Sequence, residues 1–187
     1  MSKIANDIRV GNIIIHEKRL WKVLKTEHVK PGKGGAFVQM EMKEIKAGTK
    51  LNQRFRSEET IDVAHYEMKD YQYLFRSGNQ ITLMDTETFE QIEVDAELFN
   101  GTDVFLQDGM NIVVDIAEEQ MISASVPAEV TLLVTEAEAV VKGQTAAGSN
   151  KPAILENGVR VMVPQFVATG DKIVVKTENS TYVKRAE

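Results

Sequence analysis

The sequence predicts an all-β chain made of three small domains in succession, on three observations. Val and Ile together number 35 (21 and 14) against 10 Leu. β-Branched side chains suit strands and lose χ1 freedom in helices. Short apolar segments recur along the chain, each bounded by Gly, Pro, Asn or Asp, and no helical period is sustained. Charge changes in steps. Residues 1–64 carry 13 basic and 8 acidic side chains (net +5), residues 65–127 carry 2 and 13 (net -11), and residues 128–187 carry 7 of each, which together give -6 over 187 residues. Domain boundaries are therefore expected near 64 and 127.

In the first segment, the largely apolar Val10-Gly11-Asn12-Ile13-Ile14-Ile15 and Leu20-Trp21-Lys22-Val23-Leu24 flank the polar link His16-Glu17-Lys18-Arg19, which reads as a hairpin. Pro31-Gly32-Lys33-Gly34-Gly35-Ala36 is a concentrated turn signal. Val38, Met40 and Met42 then alternate with Gln39, Glu41 and Lys43, the period of a half-buried strand. A turn at 47–50 leads to a strand at 51–56. The count is four or five short strands, enough for a small barrel. In the second segment, strands are expected at 71–75, 80–84, 91–94, 104–106, 111–116 and 121–126, with one helical turn over 95–99. Turns fall at Asn100-Gly101 and Asp108-Gly109. In the third, strands are expected at 128–135, 153–155, 160–164, 172–177 and 181–184, with a loop at 143–150. A 60-residue domain is only marginally stable alone, so the second and third are expected to pack together or share an interface. Three such units in a bent row would span roughly 70–80 Å.

Several function classes are excluded. No apolar run approaches the ~18 residues of a spanning helix, and the first residues lack the apolar stretch of a secretory signal. A cytoplasmic location without membrane contact is expected. Cys is absent, so disulfides, thiolate metal sites and Cys nucleophiles are out. His16, His28 and His65 show no metal-ligand spacing, no G-x-S-x-G elbow occurs, and no acid–base pair stands out. Neither catalysis nor a cofactor is expected. Lys33 has Glu27 rather than a glycine six residues before it and no Ser or Thr after it, so it is not the lysine of a nucleotide-binding phosphate loop.

The 31–36 loop holds the most information. Glycine-rich tips serve ordinary hairpins, because glycine adopts positive φ freely. That reading leaves a lysine at the apex unexplained. Pro31 fixes φ on the approach, while Gly32, Gly34 and Gly35 remove bulk around Lys33. Lys25 and Lys30 add charge, partly offset by Glu27. This arrangement suits the insertion of one cation into a narrow, phosphate-lined place, and the basic first segment suits phosphate generally.

Val29-Lys30-Pro31-Gly32-Lys33-Gly34-Gly35-Ala36-Phe37 resembles the lysine-tip loop of the bacterial translation elongation factor P family. Residues 84–91 (Met-Asp-Thr-Glu-Thr-Phe-Glu-Gln) are similar to a stretch of that family's middle domain. Gly143-Gln144-Thr145-Ala146-Ala147-Gly148-Ser149-Asn150-Lys151-Pro152-Ala153 resembles its third-domain loop. Val161-Met162-Val163-Pro164 and Gly170-Asp171-Lys172-Ile173 resemble its closing strands. The resemblance implies an N-terminal KOW/SH3-like barrel and two OB-fold barrels in an L-shaped, tRNA-like arrangement. It implies a monomer that binds the ribosome between the peptidyl and exit sites and stimulates peptide-bond formation at consecutive prolines. By the same resemblance Lys33 reaches the CCA end of peptidyl-tRNA and is extended by a lysine-modifying enzyme. The second domain helps to recognise the tRNA elbow, and Gly143, Gln144, Thr145, Ala146, Gly148, Ser149 and Asn150 lie near messenger RNA at the exit site. The family usually reads Gly-Asp-Thr where this chain has Gly143-Gln144-Thr145, which exchanges a carboxylate for an amide that both donates and accepts. Two other readings stay open from the residues. One is a generic RNA-binding or ribosome-associated module, which needs no glycine-flanked lysine. The other is a β-rich enzyme, which needs a pocket of paired titratable groups.

Overall fold

The computed structural model describes residues 1–139 and 149–187. They gather into two compact units, Met1–Lys69 with Val114–Ala124, and Asp70–Val113 with Ser125–Glu187. Among the described residues sixteen strands form three sheets, and the helical segments are three 3-10 turns.

The N-terminal sheet contains β1 (Ser2–Ile4), β2 (Ile13–His16), β3 (Arg19–Val29), β4 (Phe37–Glu44), β5 (Lys50–Arg56) and β6 (Thr60–Val63). They lie in the order β1-β6-β2-β3-β4-β5. Six strands replace the four or five expected, because β1 and β6 span only 3 and 4 residues and are too short to show a period. Alternation sends Val38, Met40 and Met42 inward, where they meet Ile8, Ile14, Trp21, Val23 and Phe55 in one core. The β2–β3 link is tighter than the four residues read from the sequence. Glu17 and Lys18 alone make it, at φ of 52° and 62°, the positive pair that matches the twist of a two-residue hairpin.

The middle sheet contains β7 (Tyr66–Ser77), β8 (Gln80–Asp85), β9 (Gln91–Asp95), β10 (Asn111–Ala117) and β11 (Gln120–Ser125), in the order β11-β10-β7-β8-β9. After β9 the Asp95 carboxylate accepts the Glu97 backbone N–H at 3.0 Å. It thereby caps the 3-10 turn Ala96–Phe99, the helical turn expected there. The strand expected at 104–106 is not formed. Thr102–Phe105 is another 3-10 turn, and the aromatic-apolar run read as a strand is instead a plug. Phe105 is 2% exposed and packs into the core of the third sheet beside Val130, Leu132 and Val163. Asn157 Nδ2 donates to the Val104 carbonyl at 3.0 Å, and Gln107 Nε2 donates to the Thr131 carbonyl at 2.9 Å, so the backbone is tied on both sides of the plug.

The third sheet contains β12 (Glu129–Ala137), β13 (Lys151–Leu155), β14 (Arg160–Val163), β15 (Lys172–Lys176) and β16 (Thr181–Arg185), in the order β14-β13-β12-β15-β16. Numbered from the first strand of each, the middle and third sheets share one order, 3-2-1-4-5. Five strands in a Greek-key order make the OB architecture. The all-β class, with one barrel-like sheet followed by two OB-type sheets, is as expected from the sequence.

Candidate functional site at the lysine-tipped hairpin

The hairpin that carries Lys33 is built from the two strands after the tight Glu17-Lys18 turn. β3 runs for 11 residues, longer than the apolar stretch 20–24 suggested, because its second half is polar on both faces. It pairs with β4 from Trp21↔Glu44 to Val29↔Phe37. The register shifts between Val23 and Lys25, so Leu24 is an extra residue on β3. Such a bulge increases the local twist and bends its strand. Residues 30–36 then form the loop, and the Ser57 N–H closes its base on the Ala36 carbonyl at 3.0 Å.

Pro31, Gly32, Lys33, Gly34 and Gly35 are all exposed. Gly34 has φ +111°, a conformation side chains rarely adopt, whereas Gly35 has no positive φ and no atom within 4 Å of an added Cβ. Among the described residues Lys33 has no ion-pair or hydrogen-bond partner. The approach is less cationic than its composition. Lys25 Nζ lies 2.6 Å from Glu27 Oε1. That hydrogen bond and the ammonium charge hold the Glu27 carboxyl below the usual carboxylate range, and the same contact raises the Lys25 ammonium. From Lys25 to the tip, Lys30 and Lys33 are the cations without an ion pair among the described residues.

The outward face below the loop carries residues that the sequence reading did not single out. Alternation turns Val29, Phe37 and Arg56 outward in one cross-strand row, and Glu27, Gln39 and Arg54 in the next. The Arg54 guanidinium lies over the Phe37 ring, 4.1 Å from its centroid. A groove of about 970 Å³ follows, lined by Gly35, Ala36, Phe37, Arg54, Arg56, Ser57, Glu58 and Glu59. The signal available in the sequence was Arg54-Phe55-Arg56, an alternation with arginine outward and Phe55 in the core.

The second expected site lies largely outside the described residues: Gly143, Gln144, Thr145, Ala146 and Gly148 belong to 140–148. Ser149 and Asn150 are described and exposed. Gln165 Nε2 donates to the Ser149 carbonyl at 2.9 Å. Lys151 begins β13 and is 6% exposed. Its ammonium donates to the Glu138 carbonyl at 2.7 Å. Of the three histidines, His28 Nδ1 sits 3.0 Å from Asn6 Oδ1 and His16 packs edge-on against Trp21 and Phe55. Among the described residues no group of three or more His, Asp or Glu is placed to hold a metal ion, and no helix is long and apolar enough to cross a membrane.

Family models match nearly the whole chain. Residues 4–61 match the elongation factor P (EF-P) KOW-like domain, residues 66–124 the EF-P OB domain, and residues 130–185 the EF-P C-terminal domain. The chain is 53% identical over 183 residues to elongation factor P of Parvibaculum lavamentivorans, covering 98% of each. It is 52% identical over 187 residues to that of Ruegeria sp. strain TM1040, covering all of each. Among solved structures, eukaryotic translation initiation factor 5A from Methanococcus jannaschii aligns with a TM-score of 0.55 at 20% identity, over 65% of this chain and 90% of that one. That likeness is one of fold.

Proposed function

The chain belongs to the elongation factor P family and is a translation elongation factor that works on the ribosome, and from this we propose that Lys33 is its working end. In this reading the factor binds between the peptidyl and exit sites, and the β3–β4 hairpin carries Lys33 to the CCA end of peptidyl-tRNA. There it stimulates peptide-bond formation at consecutive prolines. A lysine-modifying enzyme extends Lys33, the second domain helps to recognise the tRNA elbow, and the 143–150 loop meets messenger RNA at the exit site. The factor is a cytoplasmic monomer. It brings neither a catalytic group nor a dissociable cofactor.

Proline explains why such help is needed. Its ring fixes φ and restricts the residue before it, so a Pro-Pro end holds the reacting ester badly for attack. Holding the CCA end in the attack geometry lowers the barrier without acid or base, since orientation is worth up to ~7–11 kcal/mol in ideal cases. The observation that carries the reading is the unpaired, exposed Lys33 at the apex of a glycine-flanked loop on a two-strand arm. A generic RNA-binding module does not require that arrangement.

The test is the rate of Pro-Pro-Pro synthesis in a reconstituted system, with factor purified from its own cells. Lys33→Ala removes most of the stimulation and leaves the fold intact, because an exposed substitution changes stability by about 0.5 kcal/mol or less. Lys33→Arg keeps the charge but offers a planar guanidinium in place of an amine that can be extended, and it behaves like Lys33→Ala. Full stimulation by Lys33→Ala refutes the reading.

A further inference from the structure

We propose that the groove between the loop base and the β5 edge is a nucleotide site: Arg54 stacks an unpaired base of a single-stranded RNA, and Arg56 binds the adjoining phosphate. The proposal rests on the reading of Lys33 above and extends it to side chains below the tip. Arg54 and Arg56 are exposed and project from the same face of β5, the edge strand of its sheet. Among the described residues neither guanidinium forms an ion pair or a hydrogen bond, although Glu58 and Glu59 line the same groove. Glu59 is otherwise engaged, because its Oε2 accepts the Arg56 backbone N–H at 3.0 Å.

The geometry selects a flat, anionic occupant. Phe37 lies beneath Arg54, so the guanidinium is supported on one side, and Arg54 is exposed to an occupant approaching from solvent. Guanidinium planes and aromatic rings are what unpaired RNA bases stack upon, and the fork of an arginine suits a phosphate. Gly35 and Ala36 form the wall nearest the tip and present almost no side chain, so a sugar-phosphate strand can pass close to the backbone. Lys33 lies four residues before Phe37, at most about 14 Å of extended chain. A strand whose end meets Lys33 therefore passes the groove within a few nucleotides of that end.

The test titrates the full-length protein with a single-stranded hexaribonucleotide ending in CCA, followed by the amide resonances of Gly35, Phe37, Arg54, Arg56 and Ser57. Inorganic phosphate is titrated separately. The oligonucleotide is expected to move these resonances well beyond the shifts phosphate produces. Arg54→Ala and Arg54→Lys each weaken its binding at least fivefold, since a stacked base is worth about fivefold or more. Phe37→Leu, which removes the ring and keeps apolar bulk, gives a smaller loss in the same direction. Arg56→Ala lowers the salt dependence by about 0.7 in the logarithmic slope, the share of one single-strand phosphate.

Wild-type affinity in Arg54→Lys overturns the stacking role, and equal shifts from phosphate alone overturn the nucleotide site. If Arg54→Ala binds RNA normally but its Lys33 is no longer modified, the groove is a dock for the modifying enzyme and the proposal is again overturned. The Lys33→Ala synthesis assay judges the earlier reading separately. Oligonucleotide binding that depends on Arg54 supports the groove even if Lys33→Ala proves fully active.

Discussion

Phe105→Ala tests whether the run at 104–106 is a plug rather than a strand. The ring is 2% exposed and sits among Val130, Leu132, Val134 and Val163, with Met110 and Val126 packed against the same core. Removing a buried Phe costs about 3–5 kcal/mol, depending on how far the site collapses. Collapse is limited here, because Gln107 and Asn157 pin the backbone on both sides. We therefore expect about 4.5 kcal/mol, in the upper half of that range. With a urea slope of about 2 kcal/mol per M, the unfolding midpoint drops by about 2 M. Urea unfolding followed by fluorescence measures the shift, and amide exchange in β12 and β15 shows whether the third sheet loosens. Phe166→Ala is the exposed control, since Phe166 is 61% exposed, and it should change stability by about 0.5 kcal/mol or less. A Phe105→Ala protein as stable as that control refutes the plug.

Tyr66 donates to Asp115 Oδ1 at 2.6 Å, and Ser123 Oγ donates to the other oxygen of the same carboxylate. Burial first, then the Asp115 hydrogen bond and charge, push the Tyr66 phenol up to about 12. The folded value lies above the ordinary 10, so the contribution is complete below pH 10 and is lost as pH rises toward 12. Tyr66→Phe should cost about 1.5–3 kcal/mol at pH 7, the range for a hydrogen bond to a charged group. It should also flatten the alkaline limb of stability against pH; an unchanged limb counts against the linkage. At the tip, Gly34→Ala forces a side chain onto φ +111° at a cost of order 1–3 kcal/mol of local strain. The exposed loop is expected to relax out of that conformation, so Pro-Pro-Pro stimulation should fall while the thermal midpoint changes little. Gly35→Ala meets no atom within 4 Å and should stay near wild type in the same assay; equal losses from both would show that flexibility, not conformation, is what the glycines provide.

The strands of the first barrel were legible wherever alternation was strong. Val38, Met40 and Met42 read as inward from the sequence and are wholly buried. The second half of β3 was not, because the outer Lys25, Glu27 and Val29 and the inner Thr26 and His28 show no clean alternation, and only pairing with β4 reveals the strand. The Glu17-Lys18 and Glu118-Glu119 turns were hidden for a different reason. Tight hairpin turns are usually announced by Asn-Gly or Asp-Gly, and here charged residues take φ of 49–62° instead. Phe105 failed through length, since a three-residue apolar run carries no period to tell a strand from a buried turn. At the tip, Lys33 stood out because glycine surrounds it. Arg54 did not, because its meaning depends on Phe37, a residue seventeen positions away that only sheet register brings alongside.

The extra residue at Leu24 decides the parity of the arm. Below it the odd-numbered side chains of β3, Trp21 and Val23, face the core; above it the odd-numbered Lys25, Glu27 and Val29 face out. β4 has no matching switch, as its even-numbered Val38, Met40 and Met42 stay inward throughout. Removing Leu24 would restore an unbroken pairing and leave Lys25 and Glu27 outward opposite Glu41 and Gln39, whereas removing one residue beyond it would send every following side chain to the opposite face. Length can therefore vary in residues 30–36, beyond the last pair, without disturbing the barrel. Between the bulge and Val29 the chain tolerates changes only two residues at a time. The reach of the lysine and the packing beneath it can thus be altered independently.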